Sequence, residues 1–443
     1  MNRSFFIATG VTLAFAATAA PQAITVMGTG DASVDVPAVQ TAVDQGGWVV
    51  LKGHFSFDAP PTAAKQPDGF LGPAAFGMIR ISKTVAISGA LDDLGQMTAI
   101  EGGTNPFYVE APGAHVSING LHFLHSKGHV IRVVAAGGLA ISSNKIEGVE
   151  SAVGNVAGIL IDSSPGASVP SADQLGQAGN VSGTLAIANN DIDLQAQAGH
   201  NYLGIVVFAA GKTPDQEVDL YISGNQITNS NERPINIYSV GGRAYIERNV
   251  ITTTDGPGVN VAPSGDVIHI VGPGSFLIAD NTINCQWTSG QQAGIRLMTR
   301  PGEVVSQAVI VENDVNMAAP ESTQFGGTSA AIEIRGASEG NMVLNNRIRG
   351  RANFALSVAA SAPGSADFTG VPQNTVFLTN DLTGFMSARA DVFVDAGAAN
   401  TVVVGGQTNV EDHGADTVIV RVPSGVASGF AVPARSKRLP PKR

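Results

Sequence analysis

The chain has a single cysteine, Cys285, so no disulfide can form within it. A catalytic thiol is not indicated either, because no Cys–His pairing is visible around that position. Charged residues make up 14% of the 443 residues, well below the roughly 25% usual in soluble domains. Aromatics are scarce at 6%. After the first twenty residues no apolar run approaches 18, which excludes a later membrane-spanning helix and predicts no stable membrane insertion. The Asn-Gly and Asp-Gly pairs of two-residue β-hairpins occur only at 68–69, 119–120 and 255–256, too few to join successive strands as hairpins, and helical spacing is absent from most of the chain.

Basic residues are also in deficit. The net charge is −11, and the last ten residues, ARSKRLPPKR, hold five of the 25 Lys and Arg. Without that tail and Arg3, 19 basic residues face 36 acidic ones, a balance of −17. Such a surface repels nucleic acid and anionic lipid, so neither is an expected partner. The tail, 426–443, reads as a solvated basic end. At the other end, Arg3 precedes the apolar run Phe5 to Ala20, which contains the A-x-A pattern Ala17-Thr18-Ala19. This predicts a secretory signal peptide over 1–23, cleaved after Ala19 or Ala23, and a secreted or periplasmic location.

What the chain does have is glycine, 53 residues of it, and a repeat. An apolar residue, two others, Asn, one other and a second apolar residue recur in ISSNKI, IANNDI, ISGNQI, YIERNVI, LIADNTI, VIVENDV, VLNNRI and FLTNDL. The repeated residues are Asn144, Asn190, Asn225, Asn249, Asn281, Asn313, Asn346 and Asn380, with Leu121 of INGLHF in the same place one copy earlier. Counted from Leu121, the intervals are 23, 46, 35, 24, 32, 32, 33 and 34. The shortest marks the minimal coil, and the longer ones add loops, chiefly at 163–183, 316–328 and 360–372. Between successive Asn sites lies a second apolar stretch with period-two alternation, such as GILID, PINIY, GVNVA, GIRLM and AIEIR.

Short strands on a 23-residue minimum predict an all-β solenoid, a right-handed parallel β-helix of three sheets and about ten coils. Stacked Asn side chains would pair their amides from coil to coil as an asparagine ladder. DVPAVQTAVDQGG predicts a helix over 35–45 with Asp35 as N-cap and Pro37 in its first turn, a suitable lid for the first coil. The β-helix domain is expected over 24–425. The lid helix, GGWVVLKGHF, INGLHF and the Asn-bearing coils resemble the pectin-lyase-like right-handed parallel β-helix proteins, over roughly residues 30 to 420. That resemblance implies the fold. Proteins of that kind include polysaccharide lyases, glycoside hydrolases, esterases and epimerases, beside many without an assigned activity, so the resemblance implies no single reaction.

Three histidines crowd LHFLHSKGHV, but alternation points His122 and His125 to opposite sides and puts His129 on another strand beside an outward Arg132. Zinc needs converging ligands, so no metal site is expected. On the GILID-type strands, the outward residues of the middle coils are Asn236, Tyr238, Asn260, Arg296, Glu333 and Arg335. Arg300 lies just beyond its strand, and Glu232-Arg233 precede theirs. Arg can clamp a uronate carboxylate, while Asn236, Tyr238, Asn260 and Arg300 can hold sugar rings and hydroxyls. These residues predict a groove that binds or cleaves a polysaccharide or cell-surface glycan. In a lyase, Arg296 or Arg335 would serve the elimination with Glu333 beside them, and Ca²⁺ could neutralise the substrate's carboxylate. Hydrolysis needs two carboxylates, and only Glu333 is central, Asp162 and Asp395 being rungs away. The lyase motif R-x-P-x-x-R is missing at Arg300-Pro301-Gly302, and Gly199-His200-Asn201 lacks the second glycine of G-H-G. The alternative is a non-catalytic surface or periplasmic β-helix serving adhesion or structure. A monomer is expected in either case.

Overall fold

In a computed structural model, the residues described are 22–58, 77–150, 155–162, 180–196, 201–208, 210, 217–238, 240–253, 265–287, 292–299, 305–318, 329–359, 370–405 and 409–421. Nearly all of the expected signal segment, the tail 426–443, Asn260 and Arg300 lie outside them.

The chain winds as a parallel β-helix. Every ladder of paired strands runs parallel, and the middle coils each lay one strand on each of three sheets. The first sheet carries fourteen rungs among the described residues, from Ile24–Met27 to Val418–Arg421, more than the Asn copies alone reveal. Identical rows stack in register: Ile187, Ile222, Ile246, Ile278, Ile310 and Val343 run up the inside of this sheet and are fully buried. Their counterparts on the second sheet are Ile192, Ile227, Ile251, Ile283, Val315 and Ile348. Branched side chains of equal size stack at ~4.8 Å spacing in continuous rows along the axis, which is why β-branched residues dominate the strands.

The corner between the first two sheets holds the ladder. Each ladder Asn gives its Nδ2–H to the Oδ1 of the Asn one coil later at 2.9–3.0 Å, from Asn144 through to Asn380. The second Nδ2–H goes to a backbone carbonyl one coil earlier, as from Asn281 to Ile246 at 2.8 Å. Leu121, which holds the Asn place in its coil, ends the ladder by donating its backbone N–H to Asn144 Oδ1. The residue before each Asn is left-handed, Gly224 in one coil but Ser143, Arg248, Asp280 and Glu312 in others, with φ of 56–57° in these four. Non-glycine residues enter that region only under constraint, and here the amide stack supplies it. Two inward apolar residues flank this corner five positions apart in every copy, as in Ile187 and Ile192 or Ile310 and Val315.

The lid helix spans Ala32–Gln45, one turn longer at its start than the sequence suggests. Asp31 is its N-cap, accepting the Ser33 N–H at 2.9 Å. Asp35 instead turns inward, buried, and accepts the N–H groups of Thr29, Gly30 and Ser56 at 2.8–3.0 Å. It ties the lid to the first coil. Val39, Ala42 and Val43 close the core beneath it.

Candidate functional site: a buried charge network on the third sheet

The third sheet brings the middle coils together as the sequence implies, with one substitution. Asn236, His269, Arg296, Glu333 and Ser357 pair rung to rung in one outward column. His269 occupies the place expected for Asn260. The rung is built by Gly265–Val271 (GDVIHIV), and GVNVA falls in the preceding segment, outside the described residues. Both stretches alternate, so periodicity alone does not separate them.

A second departure concerns Asp266. Strict alternation puts it inside, on the side of Ile268 and Ile270. Instead Val267 and Ile268 both enter the core, as do Ala331 with Ile332 and Ala355 with Leu356 on later rungs. The doubled inward step turns the residue before it outward. Gly294 holds the position equivalent to Val267, where a Cβ would lie 2.7 Å from both the Ala331 carbonyl oxygen and a Val315 methyl. Asp266 is thereby delivered to Arg296, with its Oδ1 2.5 Å from Nη1. A second carboxylate therefore stands beside Glu333, where the sequence offers only one.

The geometry is that of a closed network. Arg296 donates Nε–H to Glu333 Oε2 and points Nη1 at Asp266, while Arg335 donates Nη2–H to Glu333 Oε1 at 3.0 Å. His269 Nδ1 lies 3.7 Å from Asp266 Oδ2, and Tyr238 meets the His269 ring edge-on at 5.4 Å. Glu232 pairs with Arg233 at 3.2 Å nearby. Asp266, Arg296 and Glu333 are 0% exposed, and Asn236 and Arg335 are buried. Tyr238 and Arg233 are partly exposed. The expected open groove is absent at these residues: outward from the strand does not mean outward to water. Arg132 makes the same point. It faces away from the core yet is buried, 3.4 Å from Asp162.

Burial and charge act differently on the two carboxylates that share Arg296. Burial pushes the Asp266 carboxyl above its ordinary range despite Arg296 and Arg233. Burial pushes Glu333 upward too, but Arg296 and Arg335 outweigh it and hold Glu333 below that range. Glu232 is raised by burial. Asn236 Oδ1, Glu232 Oε2 and Ser357 Oγ are buried around the network without a hydrogen-bond partner among the described residues.

The histidines of LHFLHSKGHV are spread apart. His122 Nε2 faces Glu147 at 3.0 Å, His125 lies 3.7 Å from Glu150, and His129 is buried, its Nδ1 accepting the Ala157 N–H at 3.0 Å. No group of three or more His, Cys, Asp or Glu among the described residues is placed to hold a metal ion.

No family model matches the chain, and no curated protein does. Among solved structures, PfbA, a surface adhesin of Streptococcus pneumoniae, is similar over 89% of this chain and 90% of its own, at 11% identity and a TM-score of 0.37. A likeness that remote bears on neither chemistry nor partner.

Proposed function

We propose that the protein is a non-catalytic β-helix of the cell surface or periplasm, whose central charges serve the solenoid itself. The observation that carries this reading is that the candidate groove is spent on its own partners. Arg296, the residue best suited to clamp a uronate, already holds two carboxylates, and Glu333 already accepts from two arginines. A sugar would have to displace these bonds and reach groups that are 0–4% exposed. Export rests on Arg3, the apolar run after it and the A-x-A pattern.

One specific observation favours a second reading, cleavage or binding of a polysaccharide at this network. Two carboxylates on one guanidinium are pushed in opposite directions, the arrangement by which acid and base roles are divided, and three unpaired polar atoms lie beside them. Asn236 and Tyr238 would hold the sugar, joined by Asn260 and Arg300. In a lyase Arg296 or Arg335 would serve the elimination, with Ca²⁺ neutralising a uronate.

A glycan panel of uronate and neutral polymers, with and without Ca²⁺, separates the two. The first reading expects no unsaturated products and no new reducing ends. Unsaturated products lost in Arg335→Ala would establish a lyase instead. Reducing ends lost in both Asp266→Asn and Glu333→Gln, with folding intact, would establish a hydrolase.

A further inference from the structure

Over its later rungs the first sheet is apolar on both sides. Its later rungs read SFLIA, VIV, MVL, VFL, VVVG and VIVR at 275–279, 309–311, 342–344, 376–378, 402–405 and 418–421. The middle residues of the VIV, MVL and VFL rungs, Ile310, Val343 and Phe377, enter the core. Those on either side of them, Val309 with Val311, Met342 with Leu344 and Val376 with Leu378, point outward, and pairing keeps them in two straight columns. Exposure is substantial for apolar side chains, 40% at Met342 and 51% at Val418. Two coils earlier the same column holds Tyr221 and Tyr245, their rings stacked at 4.9 Å and 7°. Strands that are apolar at every position belong to sheets covered on both faces. The lid, the core and the loops leave this outer face unaccounted for among the described residues.

We infer that a second copy of this chain covers it, the two first sheets packing face to face. Area is the first argument. From Tyr221 to Val418 the face runs eight rungs, about 34 Å at ~4.8 Å per step, and two columns with their side chains are about 14 Å wide. That is about 500 Å² per copy and about 1,000 Å² in all, the threshold for a stable specific interface. Charge is the second. Each copy carries −11, so close approach requires a face almost without charge, and the two columns hold one charged side chain, Glu247. Shape is the third. A flat ladder of Val and Leu is self-complementary, because its ridges and grooves repeat at one pitch and sheets pack at ~10 Å. This goes beyond the proposed function and replaces the monomer expected from sequence.

Sedimentation equilibrium and light scattering on the purified full chain test it, against the double variant Val309→Glu/Val376→Glu. Both changes are on outward positions and leave Ile310 and Phe377 in the core. The wild type should weigh two chains and show a melting midpoint that rises with concentration. The variant should weigh one, with dissociation at least about a hundredfold easier, because charges then face each other across an apolar contact. If that variant fails to fold, Val376→Thr/Leu378→Thr keeps the strand and weakens the pair. A single-chain mass for the wild type at every concentration overturns the inference. Co-sedimentation of wild type but not variant with phosphatidylcholine vesicles assigns the face to a membrane. Self-association appearing only after removal of 422–443 assigns it to the tail. Both results also overturn the second copy.

Discussion

Asn281 spends its whole side chain within the stack. Its Nδ2 serves Asn313 and Ile246, and its Oδ1 takes both the backbone N–H and the Nδ2–H of Asn249. Asn281→Ala would leave buried donors and a buried carbonyl unpaired, an expected loss of about 3 kcal/mol, since each orphan costs ~1–3. Asn380, part-buried at the ladder's far end, should cost about half as much on the same change. Denaturant titrations of the two variants compare them. His129 acts through protons. It is buried and held neutral, first by burial and then by Arg132, with its pKa lowered from 6.5 to about 3. As pH falls below 6.5 the unfolded chain takes up the proton first. Its contribution is present above 6.5 and drains away toward pH 3, by about 1.4 kcal/mol per pH unit. His129→Asn keeps an acceptor for the Ala157 N–H and should flatten that part of the stability-against-pH curve. A slope unchanged from wild type would place the proton uptake elsewhere.

On the third sheet the strands act as carriers of a charge network, and the network stands or falls as a unit. Arg296→Met should cost about 3–5 kcal/mol, because Asp266 and Glu333 would then face each other buried without their shared cation. Adding Asp266→Asn and Glu333→Gln should recover most of that loss in chemical denaturation. Recovery would mark the network as replaceable by neutral packing; a persistent loss would mean that the guanidinium supports the backbone directly. This sheet is also where the sequence was hardest to read. Arg296, Glu333 and Arg335 were visible by alternation, and they do meet. Asp266 and His269 were not. The doubled inward step at Val267 and Ile268 breaks the parity on which alternation relies, and the sequence just before the rung offers a second alternating stretch, GVNVA. Burial was invisible for a related reason: parity tells which side of a strand a residue leaves, not what lies beyond it.

For the whole molecule, legibility was high where the repeat is rigid. Eight Asn with apolar residues at constant offsets specify the coil, the ladder and the parallel sheets, because an amide recurring at one corner can pair with its copies only when successive coils stack in parallel register. The helix start shifted by a turn because Asp35 has two possible partners in the sequence, and in the structure it serves the first coil rather than the helix end. That role sets a prediction at this scale. Asp35→Ala should loosen the lid, baring the apolar end of the solenoid at Val26, Val49 and Leu51. An uncovered parallel edge recruits other chains, so heavy aggregates should form at temperatures where the wild type remains in solution. Turbidity on heating measures it. A variant that melts earlier without clouding would mean the lid adds stability but guards nothing.

The five-residue spacing across the ladder corner has a consequence for the protein's history. An insertion there would pull one amide out of line and interrupt a continuous stack, whereas the other two corners have absorbed differences of up to 23 residues between successive Asn intervals, from 23 to 46. Selection on the fold thus acts on a handful of letters per coil and leaves the rest free. Such a chain can change nearly everything that an alignment would recognise and still wind in the same way, so kinship among these solenoids should survive as a rhythm long after it has vanished as a text.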